Sequence, residues 1–171
     1  MAYCGDGSKF GVNIEYSLED KPLHTVGPVK LIDNLPDNFL VMNGDLLTDL
    51  DFEKFFSYHL ENKALLTVAS YHRKEKIDLG VIDIDETNMT ATGFREKPEY
   101  DFHVSMGVYA FNKRVLDHVP QNERFGFDDL MWKLLEAKEK IQIYPFDGYW
   151  LDIGRPDDYE KANQDLDKLN L

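Results

Sequence analysis

Two aspartates stand where a hard divalent cation could be held. Asp45 closes the tripeptide Asn43-Gly44-Asp45, directly after the continuous apolar run Asn38–Met42. Such a run reads as a buried parallel strand. In open α/β sheets, ligands bind beyond the carboxyl ends of the strands. A carboxylate there, next to a glycine that admits close backbone approach, suits a hard divalent cation. The same tripeptide is also an ordinary turn signal. Asp152 lies inside Tyr149-Trp150-Leu151-Asp152-Ile153-Gly154, between apolar neighbours. A carboxylate so flanked is either at a strand end in solvent or buried with a partner. Taken alone, the segment reads first as an aspartate ahead of a helix that accepts backbone hydrogen bonds from the turn at Gly154.

Three further constellations could contribute. In Phe94-Arg95-Glu96-Lys97-Pro98, Glu96 could accept bonds from paired hydroxyls and Lys97 could pair with a phosphate. Adjacent strand residues face opposite ways, so the two can serve one site only if the strand ends or bends before Pro98. Without that bend the segment is a solvated charge cluster. Gly80 and Gly107, each near the start of an apolar run, mark either close approach by a ligand or tight packing. The loop Lys21–Pro28 contains His24, Thr25 and Gly27; its glycine and prolines imply an irregular, fixed backbone.

The elements that would carry these residues follow from patterning. Strands are expected at Val12–Tyr16, Asn38–Met42, Ala64–Ser70, Met106–Phe111 and Ile141–Phe146. Leu79–Ile84 and Thr90–Glu96 flank Asp85-Glu86-Thr87-Asn88 as a hairpin. Asp51 is placed to cap a helix over Phe52–Asn62, with Phe55, Phe56 and either His59 or Leu60 on one side. Asn112 should cap a short helix to about His118. Phe127–Lys138 reads as an amphipathic helix whose apolar face holds Leu130, Met131, Leu134 and Leu135. Pro156, followed by Asp157 and Asp158, starts a last helix. Strand–helix alternation with one hairpin predicts an α/β fold.

Composition narrows the function classes. The chain has 171 residues, 43 % apolar and 30 % charged, which suits one folded domain over 1–171 and excludes a disordered chain. The net charge of −13 argues against non-specific nucleic-acid binding. No apolar run approaches the length of a membrane span, so no membrane partner is expected. The single cysteine, Cys4, cannot form an internal disulfide, and no basic-then-apolar leader opens these residues; a cytoplasmic setting is expected. An acidic protein that handles phosphates needs a cation between the like charges, which returns attention to the aspartates.

The order of the motifs is more informative than any one of them. Gly5–Gly11, Glu19–Gly27, Phe39–Asp45, Gly93–Pro98, Met106–Tyr109 and Tyr149–Gly154 run in the sequence expected of the sugar-1-phosphate nucleotidyltransferases, and the chain resembles that family over nearly its whole length. The resemblance implies a Rossmann-like three-layer α/β/α sandwich with a mixed, mostly parallel sheet. It implies that Asp45 and Asp152 hold a catalytic Mg2+, that Glu96 binds sugar hydroxyls and Lys97 the sugar phosphate, and that Gly80 and Gly107 let backbone amides reach the sugar. Thr25 and Gly27 would edge the base and sugar. The substrates implied are an NTP and a hexose-1-phosphate, in a guanylyl- or thymidylyl-type reaction. Two departures stand out. His24 occupies a position where the family keeps a glycine. The 171 residues also contain no G-x-G-T-R-L run, the family's triphosphate grip. The expectation is therefore a domain lacking the family's first strands: the sugar-phosphate and metal half of the enzyme, with little activity alone and a tendency to self-associate as a homo-oligomer. The alternative is a non-catalytic sugar-phosphate-binding relative or regulatory subunit.

Overall fold

Apolar runs become strands and amphipathic stretches become helices over most of the chain. The computed structural model describes residues 3–166. In chain order its strands and helices are β1 (Asn38–Met42), β2 (Leu46–Thr48), α1 (Phe52–Asn62), β3 (Leu66–Lys76), β4 (Val81–Asp85), β5 (Thr90–Arg95), β6 (Glu99–Asn112), α2 (Phe127–Glu136), β7 (Ile141–Phe146), β8 (Trp150–Asp152) and α3 (Pro156–Leu166). The fold is α/β with a mixed sheet of order β1-β6-β3-β7, plus the two-stranded pairs β2-β8 and β4-β5. Backbone bonds from Lys113 to Asp37 and from Asn43 to Gly107 run β6 antiparallel to β1. Bonds from Asn112 to Leu65 and from Ile77 to Pro98 do the same against β3. β1 and β3 therefore share one direction, with β6 reversed between them.

Contacts divide the chain into two compact units. One comprises the N-terminal segment through Phe39, Lys63–Leu66 and Phe111–Ile141. Its buried side chains include Leu23, Val26, Val115, Val119, Leu130 and Leu134. In α2, Leu130 and Leu134 are fully buried, whereas Leu135 is 53 % exposed, so the apolar stripe is narrower than the sequence suggests. The other unit comprises Leu40–Asn62, Thr67–Ala110 and the chain from Gln142. Its core gathers Leu50, Phe55, Ala69, Met106, Val108 and Ala110, with Leu46, Tyr71 and Trp150 packed against them. Asp51 caps α1 by accepting the Lys54 N–H at 2.9 Å. One turn after Phe55, His59 is buried and Leu60 exposed, which settles the face that α1 presents. The His59 imidazole meets the Thr67 hydroxyl at 2.7 Å, and burial lowers its pKa from the ordinary 6.5.

One expected strand does not form. Val12–Tyr16 has no ladder partner among the described residues. Its backbone instead turns back on the preceding loop, with the Val12 N–H on the Gly7 carbonyl and the Ile14 N–H on that of Asp6. Val12 and Tyr16 are exposed. Alternating residues make a strand only where a neighbour supplies the other half of the ladder.

Candidate active site

The unit that holds the carboxyl end of β1 places both aspartates on adjacent segments. After β1 the chain turns through Asn43–Asp45 and enters β2, which pairs antiparallel with β8, Leu46 opposite Asp152 and Thr48 opposite Trp150. The pairing extends at both ends. The Ile153 N–H donates to the Asp45 carbonyl at 2.9 Å, and the Tyr149 N–H to the Asp49 carboxylate at 2.7 Å. Beyond β8 the Asp152 Oδ1 accepts the Gly154 N–H at 2.9 Å, closing a turn. Gly154 carries no side chain, and the point where a Cβ would begin lies 3.1 Å from Asp152 Oδ1 and 3.5 Å from Asp45 Oδ2. The two carboxylates thus converge on one small volume at the surface. Asp152 gives one oxygen to its own turn, so the turn role read from the sequence and the convergence coexist. The Asp45 carboxylate has no hydrogen-bond or ion-pair partner among the described residues.

Gly107 lies beside this pair. Its φ of 75° is left-handed, a region costly for any residue with a Cβ. A Cβ there would also meet the Asn43 amide nitrogen at 2.8 Å and Leu46 at 3.1 Å. Glycine at 107 therefore both takes a left-handed conformation within β6 and admits Asn43 and Leu46. Sequence reasoning treated Asn43 only as a turn residue, and nothing in the chain order pairs it with position 107.

Glu96, Lys97 and Gly80 form a second grouping at the foot of the β4-β5 hairpin. β5 ends at Arg95, and Lys97 adopts φ 45°, the break that alternation demanded for Glu96 and Lys97 to serve one site. Lys97 Nζ pairs with Asp78 Oδ1 at 2.9 Å, both well exposed. Asp78 was not singled out from the sequence; only the tertiary turn brings it to Lys97. Gly80 packs under Phe94, whose ring atoms lie 2.7 Å from a would-be Cβ, with Glu96 Oε2 at 3.3 Å. Space for Phe94 is thus one reason for this glycine.

Thr25 and Gly27 belong to the other unit, where both hold backbone together. The Thr25 hydroxyl accepts the Phe127 N–H at 3.0 Å and so helps cap α2, alongside Asp129, which accepts the Gly126 N–H at 2.8 Å. Gly27 donates to the Phe125 carbonyl at 2.9 Å, and its would-be Cβ lies 2.9 Å from the Glu123 carbonyl oxygen. His24 adopts φ 71°, a conformation that a glycine would take without cost.

A divalent cation fits the Asp45–Asp152 pair by the chemistry of its donors. Among the described residues no cluster of three or more histidine, cysteine or acidic side chains could enclose a metal. Two exposed carboxylates suit an ion that keeps several waters, as Mg2+ does. Among the described residues no helix is long and apolar enough to cross a membrane.

The family model for the nucleotidyl transferases matches residues 1–168. The chain belongs to the nucleotidyl transferase family. It is 33 % identical, over 159 residues, to the D-glycero-alpha-D-manno-heptose 1-phosphate guanylyltransferase of Aneurinibacillus thermoaerophilus, covering 91 % of this chain and 68 % of that protein. It is 30 % identical over 172 residues to the mannose-1-phosphate guanylyltransferase of Mycobacterium tuberculosis, covering 96 % and 47 %. Among solved structures, HddC from Yersinia pseudotuberculosis complexed with GMP-PN is similar at a TM-score of 0.58 and 25 % identity, over 86 % of this chain and 64 % of that one. A Bacillus anthracis structure in complex with a sucrose reaches a TM-score of 0.70 over 99 % of this chain and 72 % of the other; at 20 % identity that likeness concerns the fold alone. The chain spans about two-thirds of the first relative and under half of the second.

Proposed function

We propose that this chain supplies the metal and sugar-phosphate half of a sugar-1-phosphate nucleotidyltransferase, which forms an NDP-sugar and pyrophosphate from an NTP and a hexose-1-phosphate. The observation that carries the reading is the convergence of Asp45 and Asp152 beside Gly154. The attacking atom would be a phosphate oxygen, anionic at neutral pH, so no general base is needed. Catalysis then reduces to positioning and charge neutralisation. Asp45 and Asp152 would hold Mg2+, whose contribution when bound is to offset the repulsion between the two phosphate groups. Glu96 would accept bonds from sugar hydroxyls. Lys97 would exchange Asp78 for the sugar phosphate. That exchange is easy because an exposed ion pair contributes only about 0–1 kcal/mol. Gly80 and Gly107 would leave room at the sugar, and Thr25 and Gly27 would frame a neighbouring loop.

The base is expected to be guanine or thymine; the names of both relatives above favour guanine. A homo-oligomer also belongs to the reading, and a clean monomer in sedimentation at micromolar concentration would remove it. The test of the core claim is a titration of the chain with a hexose-1-phosphate, with and without Mg2+. Affinity should rise with Mg2+, and Asp45→Asn should abolish that dependence while leaving the fold intact. Binding that ignores Mg2+ in both proteins would refute the proposal.

A further inference from the structure

The β2-β8 ribbon, which carries Asp152, is short. β8 has three residues and pairs with the three of β2. A ladder this short specifies its own register weakly, and a slip of one residue sends every side chain to the opposite face. The bonds at Ile153 and Tyr149 extend it by a residue at each end, and a side-chain anchor would add to them. Trp150 is placed to be that anchor. Its indole N–H donates to the Met106 carbonyl at 3.0 Å, and its ring packs on Tyr71 at a centroid distance of 5.4 Å and against the core around Met106. Met106 directly precedes Gly107, the residue of β6 with left-handed backbone. The next carbonyl, that of Gly107, accepts the Asn43 N–H at 2.9 Å at the turn leading to Asp45. Two consecutive carbonyls of β6 therefore tie down the two segments that carry the aspartates, one through an indole and one through a backbone amide.

Trp150 and Asp152 are two residues apart on one strand and share a face. We infer that Trp150 is a positioning residue: its indole bond to the Met106 carbonyl sets the roll and register of β8 and so aims Asp152 at the volume it shares with Asp45. This inference rests on the reading of that pair as a cation site. It assigns the indole N–H a role distinct from ring packing, because a phenyl or sulfur-containing ring fills much of the same space without donating a bond. A half-buried indole N–H normally finds a partner; here the partner belongs to the strand that organises the site.

The test replaces Trp150 in the full chain with benzothienylalanine, which keeps the bicyclic shape but has sulfur in place of N–H, and in parallel makes Trp150→Phe. Free Mn2+ is followed by electron paramagnetic resonance, and hydrogen exchange is measured at the Ile153 amide, which donates to the Asp45 carbonyl. Losing one neutral hydrogen bond should weaken Mn2+ binding about fivefold and raise Ile153 exchange by a similar factor. Leu134→Val, in the other unit's core, should lower thermal stability while leaving both readouts at wild-type values. If the sulfur isostere binds Mn2+ and protects Ile153 as the wild type does, the inference is overturned. If Mn2+ binds equally to wild type and to Asp152→Asn, or to neither, the cation site itself is wrong and the role of Trp150 falls with it. Should the isostere fold poorly, the Phe variant decides by the same two readouts.

Discussion

Residues 23–27 and residues 43–45 with 152–154 both combine glycine with polar side chains, yet they end differently. In the first loop Leu23 and Val26 are almost fully buried, the Thr25 hydroxyl caps α2, and the Leu23 and Phe125 carbonyls receive backbone amides. Its hydroxyl and its backbone groups are used in holding backbone, while the His24 side chain is exposed. In the second region Asp45 has no protein partner among the described residues, and Asp152 gives only one oxygen to its own turn. The carboxylates are exposed, beside and on the paired strands β2 and β8. Loops whose hydrogen bonds close on the protein contribute stability. Those left open on a well-packed support are where a ligand can be held.

Substitutions can break that comparison. Removing one carboxylate, by Asp152→Asn, should weaken Mn2+ binding by at least about 100-fold with unfolding free energy changed by less than about 0.5 kcal/mol. A large loss of stability instead would make Asp152 a structural residue. Lys97→Ala should weaken hexose-1-phosphate binding about tenfold, the worth of one charge-assisted contact, with stability nearly unchanged. Unaltered calorimetric binding would leave Lys97 as a surface partner of Asp78 alone. Thr25→Ala should do the reverse, costing about 1 kcal/mol in urea unfolding through the lost cap while Mn2+ affinity stays the same.

The smallest expected effect is on pH. His59 is buried and its folded pKa lies below 6.5, so the unfolded chain takes up its proton first on acidification. Its contribution to stability is complete above pH 6.5 and is lost as pH falls from there through the folded value. Unfolding curves at pH 7.5 and 5 should show this loss, and His59→Gln should flatten it. An equal slope in the variant would move the origin of the pH dependence elsewhere.

Much of the fold was legible because local signals agreed with their surroundings. Asn38–Met42 and Phe52–Asn62 form over the residues expected, since the first is apolar from Phe39 to Met42 and the second has Asp51 as its cap. The run Val12–Tyr16 shows the limit, because alternation says which face is apolar but not whether a neighbouring strand exists. The candidate site was legible in part. Asp45, Asp152, Glu96 and Lys97 could be singled out from residue type and order. Asp78, the tie of Asn43 to Gly107, and the anchor from Trp150 to Met106 could not, because each joins positions whose separation in sequence carries no period.

By itself the chain determined which residue types lie at the ends of which strands, and its family. Whether the two aspartates meet was decided by tertiary structure. In the β2-β8 ladder Asp45 stands opposite Ile153, next to the pair formed by Leu46 and Asp152, so strict alternation would send the two carboxylates to opposite faces. They converge because the chain turns before β2 and again at Gly154, where the missing side chain leaves the space that both oxygens approach.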